Sequence, residues 1–66
     1  MNQSDEKITI EVEYGSGGMG WMAIQQGVVN SPQAISHALK QAKRSYPDKK
    51  ARAIGMKSKR LYDMSM

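Results

Sequence analysis

The segment from Asn30 to Asp48 constrains the fold most, because it predicts a single, sharply amphipathic helix. Ser31 suits the N-cap and Pro32 the first helical position, since the first N–H groups of a helix have no partner within it. Pro47 ends the helix, because the residue before a proline avoids helical angles. At about 100° per residue, the apolar side chains form one stripe. We therefore predict a helix over roughly residues 32–45, with a buried stripe of Ala34, Ile35, Ala38, Leu39, Ala42 and Tyr46.

The buried stripe needs an apolar surface to pack on, and the rest of the chain predicts a sheet. Residues 7–14 alternate strictly between apolar and polar side chains, which is typical of a strand with one buried face. Weaker alternation predicts a second strand in residues 21–29 and a third in residues 49–57, while residues 61–66 form a fourth strand or a tail. The predicted fold class is α+β: a small antiparallel sheet in the order β-β-α-β, with one amphipathic helix packed on one face.

A chain of 66 residues makes one domain, which we assign to residues 1–66 with residues 1–6 and about 63–66 flexible. So short a chain buries only about 60% of the surface that its unfolded form exposes, and it has no cysteine for a disulfide. A lone sheet would also leave an exposed strand edge. We therefore expect a homodimer. The predicted core consists of Ile8, Ile10, Val12, Met22, Ile24, Val28, Ile35, Ala38, Leu39, Ala42, Ile54, Met56 and Leu61.

A glycine-rich segment, Gly15–Gly20, separates the first two predicted strands and fits the pattern G-x-G-x-x-G. In dinucleotide-binding proteins this pattern lies between a strand and a helix, and an acidic residue follows about 20 positions later. Here a strand-like segment follows, and no carboxylate occurs between Glu13 and Asp48. We predict a hairpin connection without bound phosphate and expect no cofactor. A contact with a ligand or a partner stays open, because four glycines leave backbone N–H groups accessible.

Basic residues are concentrated in the second half of the chain. In residues 1–33, one lysine against four carboxylates gives a net charge of −3; in residues 34–66, nine lysines and arginines against two aspartates give +7. Such an excess favours nucleic acid or an acidic protein surface as a partner, although small domains also carry it for solubility alone. The predicted binding residues, expected to lie largely on one side of the molecule, are Lys40, Lys43, Arg44, Lys49, Lys50, Arg52, Lys57, Lys59 and Arg60.

The residues that catalysis or metal binding would need are scarce. His37 is the only histidine and lies on the polar side of the predicted helix, so we expect no metal site. Glu11 and Glu13 share one face of the first strand, where they form a solvated surface or cross-strand pairs with Arg52 or Lys57. We predict that the chain is not an enzyme.

The leading prediction is a small non-enzymatic module that binds the nucleic-acid backbone through the basic helix and strand face. The alternative is a protein-binding regulator or inhibitor of a host machine, of the phage or plasmid type. It would act through a loop containing Met19 and Trp21, a strand edge or the basic face, since Trp is enriched among interface hot spots. The sequence has neither a long apolar run nor a signal-peptide pattern, so we expect a cytoplasmic protein without a membrane partner.

Overall fold

The computed structural model describes residues 6–14 and 20–65. The elements are β1 (Ile8–Tyr14), β2 (Gly20–Val28), α1 (Pro32–Ser45), β3 (Ala51–Gly55) and β4 (Leu61–Ser65). The four strands form one antiparallel sheet in the order β2-β1-β3-β4, and α1 packs on one face of it. The predicted α+β fold is confirmed, and the fourth strand is present. Residues 63–65, expected to be flexible, belong to β4; residues 1–5, 15–19 and 66 lie outside the described residues.

Helix α1 begins and ends where its sequence predicts. The Ser31 hydroxyl accepts a hydrogen bond from the Ala34 N–H at 3.2 Å, and Pro32 occupies the first turn. At the other end, the Tyr46 N–H donates to the Ala42 carbonyl oxygen at 2.8 Å, and Pro47 follows. The stripe that α1 buries consists of Ile35, Ala38, Leu39 and Ala42, with Ala34 and Tyr46 partly buried beside it.

The core lies between α1 and one face of the sheet. Ile8, Ile10 and Val12 of β1 are fully buried there. Cross-strand partners project to the same face, and Ala51 and Ala53 of β3 pair with Val12 and Ile10. Both alanines are fully buried, and their small side chains let the helix lie close to the sheet.

The sequence assigned the wrong face of β3 to the core. Arg52 and Ile54 lie on the face opposite α1, which we call the open face, because Ile54 pairs with Thr9 rather than with a helix-facing residue of β1. Period-two alternation shows which residues share a face but not which face is covered, and the larger side chains favoured the wrong choice. The prediction that Ile54 is buried is nevertheless confirmed, since only 9% of its surface is exposed.

Three residues of the predicted core are exposed: Met22 by 40%, Met56 by 39% and Leu61 by 53%. Leu61 pairs with Ile54 and so belongs to the open face. Met56 follows the last residue of β3. Met22 shares the face of its partner Val12, but β2 is an edge strand of the sheet and the single helix leaves this part of it uncovered.

Strand β2 pairs with β1 through two register irregularities, between Ile8 and Ile10 and between Ile10 and Glu11. Gly27 lies in this region with φ of 75°, where glycine has no steric penalty. A glycine inside a strand often marks a bulge, and the chain bulges here and continues to Val28. Bulges increase the local twist and make an edge strand a poorer template for further pairing.

Candidate nucleic-acid interface

The nine predicted basic residues fall into three separate places. Five of them lie near the C-terminal end of α1 and in the loop that follows; we call these the helix-end cluster, made of Lys40, Lys43, Arg44, Lys49 and Lys50. Three lie in the β3–β4 turn and form the turn cluster, made of Lys57, Lys59 and Arg60. The ninth, Arg52, lies on the open face. The two clusters lie at opposite ends of β3, so the single basic face expected from the sequence is divided.

The helix-end cluster presents positive charge on the solvent side of α1. Lys40 and Arg44 are exposed and lie four residues apart, which brings their Cβ atoms within about 6 Å of one another. His37 is exposed one turn earlier on the same side. No acidic residue occurs in α1, so no carboxylate of this helix offsets the charge.

Lys43 connects the helix to the following loop. Its ammonium group donates to the Lys49 carbonyl oxygen at 2.7 Å and to the Pro47 carbonyl oxygen at 3.4 Å. These bonds hold Lys49 and Lys50 next to the last turn of α1. Asp48 is the one carboxylate in this loop, so the region from Lys40 to Lys50 keeps a net charge of +4. Cations at this end of a helix also interact favourably with the helix dipole, so part of the cluster stabilises the fold.

Arg52 contacts two side chains of the protein itself, those of Glu11 and Trp21. Its Nε donates to Glu11 Oε1 at 2.8 Å, and its guanidinium carbon lies 4.0 Å from the centroid of the Trp21 ring. The cross-strand pair of Glu11 with Arg52, one of the alternatives that the sequence indicated, is therefore present. Trp21 belongs to β2 and is half-buried beneath Arg52, whereas Met19 lies outside the described residues.

The β3–β4 turn, which carries the turn cluster, binds the carboxylate of Glu6, and the sequence did not predict this contact. Glu6 Oε1 accepts hydrogen bonds from the backbone N–H groups of Lys57 and Ser58, both at 2.9 Å. Glu6 Oε2 accepts from the Tyr62 hydroxyl at 2.6 Å and from the Ser58 hydroxyl at 2.7 Å. No local pattern signals this contact, because Glu6 and the turn are about fifty residues apart.

These four donors favour the ionised carboxylate. They lower the pKa of Glu6 from 4.5 to about 2, with the largest contribution from the Tyr62 hydroxyl and the next from the Ser58 backbone N–H. Gly55 has no side chain and so makes room for the Glu6 carboxylate, because a Cβ atom at Gly55 would lie 2.6 Å from it. Lys59, in the same turn, has a positive φ of 62°.

Within residues 6–14 and 20–65, no three His, Cys, Asp or Glu side chains are grouped so that they could hold a metal ion. No helix in the described part of the chain is long and apolar enough to cross a membrane. No protein-family model, curated protein or solved structure matches the chain.

Proposed function

We propose that the protein is a non-enzymatic module that binds the phosphate backbone of nucleic acid through the helix-end cluster. The observation that carries this proposal is the net charge of +4 over residues 40–50, on a helix without a single acidic side chain. Lysines and arginines that contact phosphates release condensed counterions, and this release drives binding without regard to base sequence. A cytoplasmic location, as expected from the sequence, belongs to the same proposal.

Two features support the helix-end cluster over the other basic groups. Lys40 and Arg44 are exposed and have no carboxylate on their own helix, whereas Arg52 already contacts Glu11 and Trp21. The hydrogen bonds of Lys43 order the loop, so Lys49 is held near the helix before any ligand arrives. A pre-ordered contact surface loses less conformational entropy on binding.

The open face supports a second candidate, a protein-binding regulator or inhibitor of a host machine of the phage or plasmid type. Leu61 is 53% exposed there beside Ile54, and Trp21 lies on the same face. Exposed apolar surface on a small domain is typical of protein contacts. A homodimer that covers this face is the simplest form of such a contact and is proposed with it.

The test of the main proposal is binding to a labelled duplex oligonucleotide, measured by fluorescence anisotropy at fixed salt. The double variant Lys40→Gln/Arg44→Gln removes two exposed charges, and we expect it to weaken binding by about tenfold. The matched control, Lys7→Glu, lowers the net charge by the same two units at an exposed residue outside both clusters and should bind nearly as well as the parent. Equal losses in both variants would show that only net charge matters, and absence of binding by the parent would favour the protein-binding candidate.

A further inference from the structure

The contact of Glu6 with the β3–β4 turn has the form of an anion bound in a site. Two consecutive backbone N–H groups, Lys57 and Ser58, point at one carboxylate oxygen, and two hydroxyl groups donate to the other. Successive N–H groups in a turn form a concavity that binds anions. All four contacts of this carboxylate are donors, so its surroundings would suit any oxyanion of similar size.

The site has more room and more positive charge than one carboxylate uses. A cavity of about 450 Å³ is lined by Glu6, Lys57, Ser58, Arg60 and Tyr62. Arg60 lies with its guanidinium carbon 5.5 Å from the centroid of the Tyr62 ring, which keeps this cation beside the site. With Glu6 ionised the lining has a net charge of +1, and without Glu6 it has +2, which matches a phosphate dianion.

We propose that the β3–β4 turn is a phosphate-binding site and that the Glu6 carboxylate, tethered by the chain, occupies it in competition with phosphate. The phosphate group belongs either to free inorganic phosphate or to the backbone of a bound nucleic acid. The second source rests on the proposed function, whereas the first does not depend on it. Because Glu6 is part of the same chain, it competes at a high effective concentration, so a free phosphate ion fills the site readily only when the Glu6 carboxylate is removed.

The experiment is a titration of the ¹⁵N-labelled chain with inorganic phosphate at constant ionic strength, followed through the amide signals of Lys57 and Ser58. In Glu6→Ala we expect saturable shifts of both signals, with an affinity about tenfold or more above that of the parent. Glu13→Ala, which removes a carboxylate near the far end of β1, should behave like the parent. Retained dispersion of the amide spectrum verifies that each variant is folded.

A second titration, with a duplex oligonucleotide, distinguishes the two sources of phosphate. If the nucleic-acid backbone enters the site, the duplex shifts the Lys57 and Ser58 signals in Glu6→Ala; if only free phosphate enters, the duplex leaves them in place while inorganic phosphate still shifts them. The proposal is overturned if folded Glu6→Ala shows no saturable response to inorganic phosphate. A failure of the helix-end cluster to bind the duplex would not affect the phosphate titration, so the two proposals fail separately.

Discussion

Arg52 illustrates at the scale of a single residue how one side chain joins three strands. It projects from β3, bonds to Glu11 of β1 and lies over Trp21 of β2. The two ionised side chains are only 28% and 22% exposed, so solvent screens the pair less than it would on an open surface. The contact with the indole ring adds a cation–π attraction that depends on the planar guanidinium group.

We predict that Arg52→Ala lowers the free energy of unfolding by about 1–2 kcal/mol, through the lost ion pair and the lost contact with Trp21. Arg52→Lys should recover only part of this, because an ammonium group cannot stack on the ring in the same way. Urea unfolding measures the free energy of unfolding of both variants, with the exposed Arg44→Ala as the control. If Arg52→Ala costs no more than Arg44→Ala, the stacked pair contributes nothing to stability.

Glu6 makes the stability of the fold depend on pH. Its pKa in the folded protein, about 2, lies below the ordinary value of 4.5, so between these values the unfolded chain binds more protons. The contribution of Glu6 is therefore complete above about pH 4.5 and is lost as the pH falls towards 2. We predict that Glu6→Gln is less stable than the parent at pH 7 and that the difference shrinks through this range. A difference that stayed constant from pH 7 to pH 2 would contradict the hydrogen-bonded carboxylate.

At the scale of elements, the sequence predicted the ends of α1, because interactions between nearby residues determine them. Ser31, Pro32 and Pro47 bound α1 because capping and proline geometry act within a few residues. The covered face of β3 was not predictable in the same way, because it depends on pairing with β1, about forty residues away. The contact of Glu6 with the β3–β4 turn joins residues about fifty positions apart, and neither residue type nor spacing in the sequence predicts it.

Substitutions at Gly27 test whether β2 bulges at this residue. Its φ is 75°, and no atom beyond Gly27 and its two chain neighbours lies within 4 Å of where a Cβ would be. The cost of Gly27→Ala therefore comes from backbone conformation alone, and we predict a loss of about 1 kcal/mol. Gly27→Asn should lose less, because asparagine tolerates positive φ better. Urea unfolding, with the neighbouring exposed Gln26→Ala as the control, measures the effect; a neutral Gly27→Ala would show that the bulge has another conformation.

At the scale of the whole molecule, α1 covers one face of the sheet, and no helix or strand of residues 6–14 and 20–65 forms a second layer on the open face. The accessible apolar side chains on that face include those of Trp21, Leu61 and Met64. We predict that the chain forms a homodimer that covers them, and that Leu61→Glu returns it to the monomer, since a charge at a buried contact is costly. Sedimentation of the parent as a single 7.3 kDa species at high micromolar concentration would contradict this prediction.

The division of the basic residues between two ends of the sheet is a further property of the whole molecule. It limits the number of phosphates that one surface can meet to those near Lys40, Lys43, Arg44, Lys49 and Lys50. Lys43 already donates to two carbonyl oxygens, so we count roughly four phosphate contacts. Each contact adds about −0.9 to the slope of log affinity against log salt concentration for duplex DNA.

Binding by the helix-end cluster is tested most directly by the salt dependence of duplex binding, measured by anisotropy from low to physiological salt. We predict a slope of about −4 for the parent and about −2 for Lys40→Gln/Arg44→Gln, since two of the four contacts are removed. The parent and the variant should have the same amide dispersion, because both side chains lie opposite the buried stripe. A parent slope near zero, or equal slopes for parent and variant, would contradict nucleic-acid binding through this surface.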